Sequence, residues 1–282
     1  MTTLITRNFN SWWDFVTSAV DESLRQYKRL KESHAISDPK WYGTRTFDEA
    51  VEMALYTGWP EGRKMMADSY AIVAPRPEPY RSETLSVAGM YPNIPAYISG
   101  SPECMVDYEY QNIATNPIIK IDYVNGGTSS IEAKSLMLRG AAVLSLCDQL
   151  EKRGYSTEIN LVSETNGGYG TTFIKRVVVK PAGEPIDLDR MAFALAQPAV
   201  HRRLHFALIE QHRELENIFG SSYGSTRPNP TTRRENVITI PGPSGAETPA
   251  SARLAVAIAA SAYLIDNNIS DLATSINERT YT

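Results

Sequence analysis

Asp122, Thr128, Ser129 and Ser130 stand close together in DYVNGGTSS, directly after the apolar run IIKI. All four side chains offer hard oxygen donors. Such donors suit magnesium rather than zinc. The free amides at a helix start also attract an anionic ligand. Gly126 and Gly127 allow the chain to turn tightly before the helix. The spacing satisfies neither GxxxxGK[ST] nor GxGxxG, so the loop lacks a nucleotide-binding fingerprint. An ordinary strand-to-helix turn with a helix cap accounts for the same residues.

A second set is basic. Lys175, Arg176, Arg202, Arg203, Arg233 and Arg234 occur within sequence reach of Tyr169, Phe173 and Tyr223. Cations that track a backbone, with aromatic rings for stacking, are how single-stranded nucleic acid is held. No recognition motif accompanies them. The net charge of -4 and pI near 5.7 give no global attraction to nucleic acid.

His201 and His205 are four residues apart, a spacing that can bring two imidazoles to one metal, with His212 further along. Arg202 follows His201, so no HExxH site is formed, and the adjacent arginines oppose a cation. Trp12, Trp13, Trp41 and Trp59 either pack helices together or present an aromatic protein-binding surface.

Nucleophilic catalysis finds little support. No GxSxG elbow is present, and neither Cys104 nor Cys147 has a histidine close in sequence. Asp187 and Asp189 diverge on a helix and suit capping rather than paired acid–base work. Two cysteines exclude a disulfide framework and point to a reducing compartment.

The elements that position these residues follow from periodicity. A chain of 282 residues with 42% hydrophobic and 21% charged residues can bury a full core. Ile118 to Val162 reads as strand, turn, helix and strand. The helix spans about Ser130 to Arg153 and is closed by Gly154. Phe173 to Val179 is a further strand after the turn NGGYG, and residues 237–240 form a late one. The order favours a mostly parallel sheet. Helices are expected from Asp187 to Ala196, from Ala199 to Leu215 and from Ala250 to Ile265.

The first 80 residues read as helices. Ser11 and Thr46 are available as caps, and TFDE forms a capping box with Glu49. Residues 74–80 carry three prolines and read as a linker. SVAGM, AYISG and MVDYEY read as short strands. Residues 220–235 are polar and rich in Gly, Pro, Ser and Thr, and read as a flexible insertion. The longest apolar run, residues 254–265, is too short to span a bilayer. The N-terminus lacks a signal-peptide pattern, which points to a cytoplasmic protein.

The strand and helix order over residues 116–265 resembles the von Willebrand factor A-type fold. That family carries an Asp-x-Ser-x-Ser metal motif after its first strand. Asp122 matches its aspartate, while Val124 and Gly126 stand at the serine positions, so the resemblance implies a degenerate, metal-free member. The signatures WYGTRTFDEAVEMALYTGWPEG and IDLDRMAFALAQPAVHRRLHFAL resemble an uncharacterised family encoded by tailed bacteriophages and prophages. This implies a product acting in the bacterial host cytoplasm or in the phage particle.

The expected fold is therefore α/β, three-layer and Rossmann-like, with a helical N-terminal extension over 1–80 and a core over 81–282. The expected function is a non-enzymatic interaction or structural module with a protein partner or a second copy. A nucleic-acid-binding protein acting in phage replication or packaging is the alternative. No cofactor is expected, apart from magnesium at the Asp122 loop.

Overall fold

A computed structural model describes residues 3–21, 32–35, 38–73, 82–89, 91–109, 117–125, 131–167, 170–211, 215, 223, 225–229 and 234–266. The centre is a sheet whose strands are β1 (Thr3–Phe9), β5 (Ile118–Val124), β6 (Ser156–Asn166), β7 (Thr171–Lys180) and β9 (Ile238–Ile240), in the order β1-β7-β6-β5-β9. β5 lies parallel to β6, in the register Ile118↔Ser156 to Val124↔Val162. β9 is parallel to β5, and β1 is parallel to β7. The expected α/β class and mostly parallel sheet are therefore present.

β6 and β7 form the antiparallel pair of this mostly parallel set of five strands. The reason is chain length. Only residues 167–170 separate the two strands, and a parallel connection needs about a dozen or more. Gly167 closes this turn by donating its N–H to the Thr171 carbonyl at 2.8 Å.

The N-terminus also departs from the helical expectation. Thr3–Phe9 is an edge strand rather than the approach to a helix. Its Ile5 packs against a small cluster with Phe173, and Phe9 meets Phe15 edge-on at 5.5 Å. The run TLITRNF is rich in β-branched residues, the composition that a pleated edge accepts.

The helices follow their local signals. Ser11 caps α1 (Trp12–Val20) by accepting from the Asp14 N–H. Thr46 caps α3 (Phe47–Glu52), following the short α2 (Pro39–Tyr42). Thr46 Oγ1 accepts from the Glu49 N–H, and the Glu49 carboxylate accepts from the Arg45 N–H at 2.6 Å. α4 (Pro60–Val73) follows a wider turn at Met53–Thr57. α6 (Ala133–Lys152) precedes Gly154, whose φ of 85° lets the chain turn into β6. Asp187 caps α7 (Leu188–Ala196), and α8 (Phe206–Gln211) follows the wide turn Val200–His205. The last described helix, α9, covers Pro249–Asp266.

One core unites these helices with one face of the sheet. Ile119, Ile121, Tyr123, Ile159, Leu161, Val177, Val179, Ile238 and Ile240 join Phe15, Met66, Leu144, Phe193 and Ala260 in a single buried cluster. α6 is drawn close to α7 at Gly140, where a Cβ would meet the Leu195 Cβ at 3.1 Å. Side chains alternate along a strand. The opposite face therefore carries Asp122, Asn160, Glu164 and Arg176, with the small apolar cluster of Val124, Val162 and Ile174.

Residues 220–235 behave differently from a free insertion wherever they are described. Ser225–Thr226 forms the short strand β8, which pairs with the end of β6, and Arg227 donates its N–H to the Glu164 carbonyl at 2.9 Å. The proposed linker at 74–80 lies outside the described residues.

A second sheet is built from β2 (Ser82–Ser86), β3 (Tyr91–Pro92) and β4 (Met105–Glu109), antiparallel in the order β2-β4-β3. AYISG, expected as a strand, falls instead across α5 (Ile94–Ile98) and the turn after it. Asn93 explains the difference by capping this helix, accepting from the Ala96 N–H at 3.0 Å, with Pro95 in the first turn.

Candidate functional site

Asp122 sits near the end of β5 and is almost wholly buried. Its carboxylate accepts from Arg176 Nε at 3.3 Å and from Arg234 Nε at 3.0 Å. Arg176 also donates to Asn8 Oδ1 on β1. The structure thus joins residues that the sequence assigned to two different sites. Burial pulls the Arg176 guanidinium below its usual range, while Asp122 opposes that shift. Thr128, Ser129 and Ser130 lie outside the described residues, as does Arg233.

This carboxylate links three segments that are far apart in sequence. Asp122→Asn is expected to lower stability by about 1–2 kcal/mol, because two partly buried guanidiniums lose their counter-charge. Urea denaturation of both proteins measures this. An unchanged midpoint would show that solvent already screens the cluster.

The remaining basic residues do not share that face. Lys175 is fully buried among the helices, with its Nζ 4.5 Å from the centre of the Phe15 ring. Arg203 is fully buried as well. It donates to the carbonyls of Ser33, Ala35, Thr44 and Arg45, and its guanidinium lies 4.0 Å from the Tyr42 ring centre. Arg202 covers the Trp41 ring at 4.4 Å and donates to the Trp41 carbonyl.

His201 and His205 do come together. Their rings stack with centroids 4.7 Å apart. Their Nε2 atoms meet the hydroxyls of Thr226 at 2.9 Å and Thr165 at 3.3 Å. Burial pushes His201 down to about 3 and His205 well below the ordinary histidine range. Among the described residues no group of three His, Cys, Asp or Glu side chains is placed to hold a metal. His212 lies outside them.

The tryptophans divide. Trp12 is buried and donates its indole N–H to the Ala54 carbonyl at 2.7 Å. Trp59 packs on the main core and lies against Gly62, where a Cβ would come within 2.0 Å of the indole. Trp41 is half-buried under Arg202. Trp13 is 52% exposed and meets exposed Tyr56 edge-on at 6.4 Å. Together they wall a cleft of about 340 Å³ with Arg190 and Asp189. Cys147 is buried, and burial pushes its thiol up to about 12, so it is an inert core group.

Among the described residues, the longest run in sequence of exposed apolar side chains lies elsewhere, from β2 to α5. Val87, Tyr97 and Ile98 are 73%, 67% and 78% exposed, and Leu85, Tyr91 and Ile94 are exposed beside them in sequence. The buried Val106 of this sheet belongs to none of the clusters that form the main core. Gly89 packs directly on the Val106 backbone, where a Cβ would meet its carbonyl oxygen at 2.4 Å. Residues 82–119 contain Glu83, Glu103, Asp107 and Glu109 and no lysine or arginine. Reading SVAGM, AYISG and MVDYEY only as strands missed this surface. The signal that could have found it is the 38-residue stretch without a basic residue, which contrasts with a chain holding 28 of them.

An α/β sheet with helices packed on one face, and a small apolar and acidic sheet beside it in sequence, defines the class. The chain belongs to the family described as a domain of unknown function, DUF7192, whose model matches residues 2–264. No curated protein and no solved structure matches the chain. Among the described residues no helix is long and apolar enough to cross a membrane.

Proposed function

We propose that the protein is a non-enzymatic interaction module that docks a cationic, amphipathic segment of a partner protein on the small sheet. The observation that carries this reading is the set of six exposed apolar residues between Leu85 and Ile98, within a stretch that has four acids and no base. A concentration of exposed apolar side chains in one stretch of a folded protein points to an interaction site. Acidic residues around it favour a basic partner and hasten encounter. Two copies meeting through this same surface would bring like charges together, so a different chain fits better than self-association here.

Titration of a labelled Leu- and Lys-rich helical peptide tests the reading. Binding is expected at low salt, weaker at high salt, and reduced at least tenfold by Tyr97→Ser with Ile98→Asp, which alter only exposed side chains. Absence of binding, or equal binding by the double variant, would overturn it.

Nucleic-acid binding is the second reading. It has less support, because Lys175 and Arg203 are buried, Arg176 and Arg234 engage Asp122, and Arg202 lies on Trp41. Magnesium at Asp122 would have to compete with those two arginines. A phage origin, a place in the host cytoplasm or the particle, and kinship with the von Willebrand factor A-type fold, with its three layers, belong to the same proposal. They rest on the sequence signatures and the β5–α6–β6 order.

A further inference from the structure

β7 carries two fully buried lysines, Lys175 and Lys180. Their surroundings differ sharply. Lys180 Nζ donates to Glu151 Oε1 at 2.6 Å and to the Thr157 carbonyl at 2.9 Å. Among the described residues Lys175 Nζ has no hydrogen-bond partner, and it lies over the Phe15 ring, 4.5 Å from its centre. A buried ammonium normally acquires a carboxylate or several carbonyls, since its desolvation is otherwise uncompensated.

Two further buried nitrogens beside it share this condition. His201 Nδ1 and His205 Nδ1 are shielded from solvent and make no hydrogen bond. They reach the same place through the fold. Phe173, two residues before Lys175 on the same face of β7, stacks on His205 at 5.6 Å, and His205 stacks on His201. Lys175 repels a proton from both imidazoles, and Arg202 does so from His201.

Among the described residues, the neighbouring elements direct no carboxylate to Lys175 to balance this charge. On α8, the Glu210 carboxylate accepts from Ser33 N–H and Oγ and from the Tyr223 hydroxyl. On β6, Ser163 is opposite Lys175 and Thr165 is opposite Phe173; Glu164 between them faces the other side of the sheet. Asp122 faces that other side too, held by its arginines. On β1, the residue in register with Lys175 is Arg7, another cation. α1 contributes the Phe15 ring.

We propose that Lys175, His201 and His205 form an internal binding site for a small oxyanion. The ammonium and the two Nδ1 positions supply the donors, and the hydroxyls of Thr226 and Thr165 hold the imidazoles by their other nitrogens. His201 as a residue is half-buried and meets Thr226 of β8, while its Nδ1 is shielded from solvent. An anion favours the protonated forms of groups that burial otherwise keeps neutral, so binding takes up protons. Burial lowers Lys175 to about 7, so binding weakens as pH rises above 7.

Sulfate is a suitable probe, since its charge does not change in this range. Calorimetric titration of the full chain, at ionic strength fixed with sodium chloride, gives the affinity at pH 6, 7 and 8. Affinity is expected to fall about tenfold per pH unit above pH 7, as one linked proton requires. Lys175→Met should abolish it, and that variant is expected to fold because it removes an unpaired buried charge. His201→Gln should weaken binding while leaving the fold intact, as read by circular dichroism. No sulfate binding at pH 6, or equal binding by wild type and Lys175→Met, would overturn the proposal.

Discussion

Lys175→Met is expected to raise the stability of the folded protein by about 3 kcal/mol near pH 7, a large effect for one substitution. Lys175 is fully buried and unpartnered, and burial lowers it from 10.5 to about 7. In the unfolded chain it binds its proton up to about pH 10.4. The unfolded state therefore holds more protons between these values, and wild-type stability must rise as pH increases from 7 toward 10. Methionine fills a similar volume without that dependence. Urea unfolding at pH 7 and pH 9 checks both parts: the variant should be the more stable at pH 7, and the difference should narrow at pH 9. A variant less stable than wild type at both pH values would show that Lys175 has a partner in solution that offsets its desolvation.

Arg203→Ala is expected to have the opposite sign and to cost about 4 kcal/mol, the range for breaking a buried charged network. The guanidinium holds the carbonyls of Ser33, Ala35, Thr44 and Arg45, which flank the short helix α2. It also covers the Tyr42 ring. Removing it leaves those carbonyls without donors and opens a cavity beside Tyr42. The midpoint of urea unfolding should fall, and amide exchange should accelerate first in residues 38–46. A loss confined to that segment, with an unchanged global midpoint, would mean that the segment folds as a local unit.

The parts of the fold that were legible from sequence are those fixed by local chemistry. Ser11, Thr46, Asp187 and Gly154 mark their helix ends as expected, because caps act over three or four residues. The β5–α6–β6 unit was legible because its apolar periodicity is strong. Pairing over long range was not. Nothing in TLITRNF states that its partner is a strand beginning at Thr171. Helix periodicity from Trp12 onward is also a stronger local signal than the short strand before it.

Site residues were harder still. In TFIKRVVVK the alternation separates Lys175 from Arg176, yet both faces of this strand carry apolar residues, so it cannot tell which side is core. The sequence places Lys175 beside Arg176 in one basic set, while in the structure the two lie on opposite faces of the sheet. Asp122 reads from the sequence as a carboxylate near a strand end, and it lies near the end of β5. That its neighbours are Arg176 and Arg234, 54 and 112 residues away, required the fold. The apolar residues of SVAGM and AYISG read as short strands, and hydrophobicity alone does not report that they are exposed.

The central claim is that a cationic amphipathic segment docks on the small sheet. Hydrogen–deuterium exchange of the full chain, with and without the Leu- and Lys-rich peptide, locates its contact surface most directly. The claim predicts that new protection falls on residues 85–106, including α5, and that it disappears in the Tyr97→Ser, Ile98→Asp variant. Protection confined to the Trp13–Tyr56 cleft or the Asp122 face, or none at peptide concentrations that saturate binding, would contradict it.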